Sequence, residues 1–149
     1  GIAGATGFCS IYVSKYMMNS EVGFGRKLLQ ILEEEGISYE HTPSGIDNIS
    51  VIINEKQLSK ELEEKIMARI KNELSVDDVS ITHDLALIII VGEGMKNTIG
   101  MAARATRALS GASINIEMIN QGSSEISIMF GVKADNCNKA VKALYDEFF

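Results

Sequence analysis

Slid against itself by 77 positions, this chain of 149 residues lands on a second copy of its own pattern. Ile99 falls on Val22, Gly100 on Gly23, Leu109 on Leu32, Ile114 on Ile37, Glu117 on Glu40, Gly122 on Gly45 and Ser127 on Ser50. No gap is needed from Phe8 over Leu85 to Ile53 over Phe130. Self-similarity at one long period confines the chain to two copies of a single supersecondary unit. Each copy is small and buries a modest core, so pairing between units or between chains is expected to add stability.

Within the first copy, Phe8–Val13 reads as a strand and Val22–Glu35 as a helix. Ser20 is its expected N-cap, and Val22, Leu28, Leu29, Ile31 and Leu32 its buried face. Gly36 suits the left-handed residue that ends such a helix. The run Glu33-Glu34-Glu35 reads as its solvated end. Ile37–His41 and Asn48–Ile53 read as strands joined by the turn Thr42-Pro43-Ser44-Gly45. Ser59 caps a second helix reaching Leu74, with Leu62, Ile66 and Ile70 in one stripe and Glu61 spaced to pair with Lys65. Asp77–His83 closes the copy as a strand, giving the ferredoxin-like order β-α-β-β-α-β.

The second copy repeats the plan, with a helix from Thr98 to Ser110 before Gly111 and a last helix opened by Asp135 and carrying Ala140, Val141, Leu144 and Phe148. It has no counterpart of Asp77–His83. The expected fold class is therefore α+β: two ferredoxin-like βαββαβ units at residues 8–84 and 85–149. Residues 1–7 are expected to supply the strand the second unit lacks, since a bare sheet edge is normally covered.

Composition removes several classes of function. The net charge of −6 argues against a nucleic-acid partner, which needs a basic patch. The apolar run Leu85–Val91 is far too short to span a bilayer, and no signal segment precedes it. A cytoplasmic protein is the expectation, and glycine in place of a start methionine reads as a processed or excised fragment. Cys9 and Cys137 form no CxxC pair and read as small buried hydrophobes, so no metal is expected. Gly92-Glu93-Gly94 follows an apolar strand, but Asn97 stands where a dinucleotide loop needs its third glycine, and no GKS or GKT is present. His41 and His83 are solitary, and no catalytic residue is expected. An acylphosphatase-like enzyme would keep an arginine beside an anion loop in both copies, yet Arg26 has Ala103 as its counterpart. An RNA-binding module would need stacking aromatics and a basic surface.

Two loops carry the functional signal. Met17 to Gly25 and Gly94 to Gly100 each lead into a helix N-terminus, where unpaired amides and the positive dipole end favour a carboxylate. Glycine there lets a ligand approach the backbone closely. Met18 and Met95 superpose in these loops, where packing and ligand contact are both open to them. Facing each loop the reading places the start of the second strand, Ser38-Tyr39-Glu40 and Asn115-Ile116-Glu117. Such a pocket suits a free amino acid, its carboxylate on the amides and its ammonium on the strand carbonyls. Helix capping with a tight turn accounts for the glycines equally well.

The segments VGEGMKNTIG, SINIEMINQGSSEISIMF and KAVKALYDEFF resemble the C-terminal regulatory region of aspartokinases, which is built from two ACT domains. MNSEVGFGRKLLQILEEEGISYEHTPSGIDNISV resembles the first ACT domain of the lysine-sensitive branch. The resemblance covers essentially the whole chain and implies a pair of effector-binding domains that transmit feedback inhibition to a kinase domain upstream. The kinase signature, a KFGGTS-like strand and loop, is absent, so ATP and magnesium belong with the parent's kinase domain and no cofactor is implied here. In the first copy the implied effector-binding residues are Met18, Gly23, Phe24, Gly25, Ser38, Tyr39 and Glu40, the last suiting the ε-ammonium of lysine. In the second they are Asn97, Thr98, Ile99, Gly100, Asn115, Ile116 and Gln121, for threonine or a second lysine. The resemblance further implies a homodimer through the ACT domains, with effectors at their interfaces. Two departures stand out. The turn Pro43 to Asp47 lacks the Thr/Ser-rich character of some lysine-inhibited members, and Glu117 matches Glu40, so acid alone does not separate the two sites. A free-standing amino-acid sensor acting on another partner is the alternative.

Overall fold

The computed structural model describes residues 1–124 and 126–149. Along the chain run β1 (Ile2–Ser14), α1 (Phe24–Glu34), β2 (Asn48–Asn54), α2 (Lys60–Leu74), β3 (Asp78–Val91), α3 (Met101–Gly111), β4 (Met118–Asn120), β5 (Ser127–Lys133) and α4 (Cys137–Phe148). Two compact units result, one of residues 8–83 and one of residues 1–7 with 84–149. The chain passes between them inside β1 and inside β3, so both of these strands serve both units.

In the unit of residues 8–83, Phe8–Ser14 pairs antiparallel with Asn54–Asn48, and β3 lies on the other side of β1. Alternation in β1 buries Cys9, Ile11 and Val13 on the face that α1 and α2 cover. Phe24, Leu28, Ile31 and Leu32 form the helical stripe that meets them, with Ile66, Ile70 and Leu74 from α2. Ser59 caps α2 as expected, its hydroxyl accepting from the Leu62 amide at 3.1 Å. Gly36 is left-handed at φ +74°, and the Ile37 amide returns to the Leu32 carbonyl at 2.9 Å, closing α1.

Several expectations fail in this unit. Helix α1 begins at Phe24, its N-cap is left-handed Gly23 with no side chain bonded to it, and Ser20 lies in a 3₁₀ turn, Met18–Ser20. Val22, expected in the core, is 94% exposed because it precedes the helix. The expected strand Ile37–His41 is reduced to bridges at His41–Ile52 and Ser44–Ile49. Pro43 brings no N–H to a ladder at that point, and the Gln57 side chain takes over the backbone of Ser38. The acidic run is likewise no idle solvated end. Lys65 reaches Glu35 at 3.0 Å in preference to Glu61, and Arg69 binds Glu34, Glu35 and Glu73, tying α1 to α2.

The other unit has the order β1–β3–β5–β4. Residues 1–7 lie against β3 where the second copy lacks a strand of its own: the Val91 amide donates to the Gly1 carbonyl at 2.8 Å, and the Gly1 nitrogen donates to the Val91 carbonyl at 2.6 Å. Ile88, Ile90, Ile128 and Phe130 meet Ala105, Leu109, Ala140 and Leu144 in the core, with Ile2 packed against it. Helix α3 starts at Met101, later than expected, and runs through Gly111; α4 starts at Cys137 after a 3₁₀ turn at Ala134–Asn136. Ser113 takes the left-handed position that Gly36 holds in the first copy. The β4–β5 register differs from the first copy by two residues, Met118 facing Gly131 where the repeat would put Met129. A Cβ on Gly131 would stand 2.9 Å from that of Met118, so the glycine admits the closer pairing. Both cysteines are free and buried.

Candidate effector site

The N-terminus of α1 opens onto a cleft of about 270 Å³. Met18, Gly23, Phe24 and Gly25, four of the expected residues, line one side with Asn19 and Glu21; Ser44, Gly45, Ile46, Asn48 and Ile49 line the other. Backbone bonds hold the two walls together, from the Lys15 amide to the Asp47 carbonyl and from the Asn19 amide to the Ile46 carbonyl. Gly23 is left-handed at φ +81°, which lets the chain turn directly into the helix, and a Cβ on Gly25 would meet nothing within 4 Å. The cleft therefore offers first-turn amides with the positive end of a dipole behind them.

Met18 is only 7% exposed and Met95 only 6%, each joining its unit's core. Packing accounts for both, with Met18 also flooring the cleft. Glu21 is the acidic side chain on the cleft, and the Lys15 ammonium hydrogen-bonded to it, with Lys27 behind, holds its carboxyl below the usual carboxylate range.

Ser38, Tyr39 and Glu40 are not part of this cleft. Helix α1 carries the chain about 16 Å along its axis before these residues begin. Ser38 is bonded through its amide, hydroxyl and carbonyl to Gln57, beyond the Asn54 end of β2, whereas the cleft lies at the Asn48 end. The Glu40 amide donates to the Ile52 carbonyl, and its side chain is exposed. The expectation that loop and strand start face each other within one unit is thus corrected: they sit at opposite ends of the sheet.

The other unit repeats the loop geometry. Gly100 is the left-handed N-cap of α3 at φ +89°, Asn97 is left-handed at φ +59°, and the Thr98 hydroxyl donates to the Gly94 carbonyl at 2.6 Å. Ile99 is fully exposed, as is nearly true of its repeat mate Val22. Asn115 and Gln121 are exposed, and Ile116 packs against the core. Asn115 and Ile116 follow the C-terminal end of α3, so they too lie a helix length from Gly100. The wall formed by Ser44 to Ile49 was legible only as a departure from the Thr/Ser-rich turn of relatives. Glu21 carried no signal beyond its place in the loop.

A second charged cluster lies outside the cleft. His83 Nε2 stands 3.0 Å from both carboxylate oxygens of Glu63, and Nδ1 stands 3.6 Å from Glu55. The hydrogen bond to Glu63, then that carboxylate's charge and the weaker contact with Glu55, outweigh partial burial and hold the His83 proton above the imidazole's usual 6.5. Burial, followed by these same carboxylates, pushes the Cys9 thiol up to about 12. Because the folded value of His83 is raised, its contribution is complete below about pH 6.5 and is lost as pH climbs through the raised value. His83→Gln is therefore expected to lower the melting temperature most below about pH 6.5 and progressively less as pH rises through the raised value. The effect stays below about 1 kcal/mol for so exposed a pair, and thermal melts across that range check it.

Residues 88–148 match the ACT domain family. Together with the βαββαβ plan and the glycine-capped helix entry, that match defines the class as ACT-domain proteins. The whole chain is 58% identical to aspartokinase 3 of Bacillus subtilis, of which it spans 33%. It also superposes on the aspartate kinase of Clostridium acetobutylicum with a TM-score of 0.95 and 44% identity, over 100% of this chain and 34% of that one. The fold is shared with Escherichia coli aspartokinase III in complex with lysine and aspartate, at a TM-score of 0.77 and 18% identity over 100% of this chain and 33% of that one. The chain thus carries an ACT domain at residues 88–148 and is related to the aspartokinases over its whole length. It spans about a third of the length of these relatives. Among the described residues, no helix is long and apolar enough to cross a membrane.

Proposed function

We propose that this chain is the effector-sensing region of an aspartokinase, binding an amino acid of the aspartate family, lysine first and threonine second. In this reading it transmits feedback inhibition to a kinase domain that phosphorylates aspartate with ATP and magnesium. The observation that carries the reading is the cleft at the start of α1, where a glycine-capped helix end meets an acidic side chain, Glu21. The amides of the first turn take the effector's carboxylate, and Glu21 takes a cationic side chain. Lysine bound by the E. coli relative, which shares the fold, supports the choice of effector.

Ser38, Tyr39 and Glu40 belong to a pocket with that cleft only if a second copy of a unit brings its own strand to the loop. A homodimer through the ACT domains is proposed for that reason. Regulation then follows from differential affinity, since an effector shifts the kinase only if it binds one arrangement of domains better than another. A free-standing sensor for another partner would share the cleft but lack kinase control.

Titration calorimetry of lysine and threonine into the chain, beside sedimentation with and without each, tests the proposal. Lysine is expected to bind at micromolar to millimolar concentration and to tighten the dimer. No heat from either amino acid, with unchanged sedimentation, would overturn it.

A further inference from the structure

The acidic side chain on the cleft is already held by a cation of the chain itself. The Lys15 ammonium donates to Glu21 Oε1 at 2.7 Å and to the backbone carbonyl of Leu74, on the last turn of α2, at 2.8 Å. It also stands 5.8 Å from the centroid of the Phe24 ring, which lines the same cleft. Lys27 is more distant from Glu21, at 3.7 Å. Beside a helix N-terminus, Lys15 thus presents what the far end of a bound lysine would present: an ammonium on a carboxylate, with an aromatic ring nearby.

We infer that Lys15 is an internal competitor for the cation position of the cleft, its hold on Glu21 giving way to the ε-ammonium of bound lysine. The inference rests on the lysine reading above and adds to it the residue that sets affinity and reports occupancy. Leu74's carbonyl is among those a helix end leaves without an intrahelical partner, and left-handed Ser75 follows it at φ 52°. A Lys15 released from Glu21 changes how that carbonyl is anchored, so filling the cleft is felt at the end of α2. An exposed ion pair is weak, and a competitor held by one raises the apparent dissociation constant by about two- to six-fold.

Calorimetric titration of lysine, and of norleucine as the same side chain without its ammonium, into the unaltered chain, Lys15→Met and Glu21→Gln decides the matter. Lys15→Met keeps an unbranched apolar side chain but removes the donor. It is expected to bind lysine about two- to six-fold more tightly and norleucine unchanged. Glu21→Gln is expected to weaken lysine about tenfold and leave norleucine alone. Melting curves accompany the titrations, and if Lys15→Met unfolds first, the lysine-to-norleucine ratio in Glu21→Gln decides. Should the unaltered chain bind lysine while neither substitution moves that ratio, the inference falls and the site reading stands. Binding of neither amino acid by the unaltered chain removes the site reading first, and the inference with it.

Discussion

Deleting residues 1–7 is expected to cost the unit they form with residues 84–149 upward of about 3 kcal/mol. Ile2 packs against that unit's core, and burying an aliphatic side chain of this size is worth about 1.5–3 kcal/mol. The backbone bonds between Gly1 and Val91 go as well, at about 1 kcal/mol each, and β3 is left with a bare edge. A unit this small has little stability to spare. The sharper version is Gly4→Val. A Cβ at Gly4 would stand 2.8 Å from Val141 Cγ2 and 3.0 Å from both Cys137 Sγ and Ile88 Cδ1, so the strand lies under α4 with no room for a side chain. Overpacking of this kind costs about 1–3 kcal/mol. Urea denaturation read with hydrogen exchange along β3 and β5 measures both changes. Unaltered protection there after deletion would show that the segment is dispensable.

Gly25→Ala is expected to move stability and effector binding in opposite directions. Gly25 has an ordinary helical backbone and open space where a Cβ would go, so nothing in the fold requires glycine there. Alanine in a helix is favoured over glycine by about 0.5–1 kcal/mol, and the melting temperature should rise accordingly. The added methyl, however, stands on the cleft wall beside the first-turn amides, where the proposed carboxylate has to approach. Binding of lysine is expected to weaken at least about tenfold. A variant that is more stable and binds lysine as before would mean that the effector's carboxylate is held elsewhere.

Much of the architecture was readable from local chemistry. The stripe Leu28, Ile31 and Leu32, the cap at Ser59 and the left-handed Gly36 each depend on residues within one or two turns, and each is where periodicity put it. The N-terminal strand was also legible, because a repeat with one element missing leaves an edge that some segment must cover. The failures share a different cause. Sequence proximity suggests a helix capped by Ser20 and opening at Val22, but the 3₁₀ turn at Met18–Ser20 and the left-handed Gly23 delay its start to Phe24. Arg69 gathers three glutamates, Glu34 from the end of α1, Glu35 from its C-cap and Glu73 from α2, a choice of partners that spacing along α2 alone could not reveal.

Part of one wall of the cleft was legible for the same reason. Met18, Gly23, Phe24 and Gly25 lie in one short loop and the helix start it leads into, and a loop rich in small residues before a helix is a local signal. Ser38, Tyr39 and Glu40 were joined to them as facing elements. Placing them needs the length and direction of α1, which sets them down at the far end of β2.

By itself the sequence determined a doubled βαββαβ plan, the apolar faces of its helices, and two glycine-bearing loops poised at helix starts. These are properties of periodicity and backbone freedom, both carried by neighbouring residues. Only the tertiary structure decided that the turn at Ser44 to Ile49 walls the first loop, that Lys15 neutralises Glu21, and that Ser38 is carried away from that loop to Gln57. Each of those depends on where strands pair and how far a helix carries the chain, and that is settled by burial across the whole sheet.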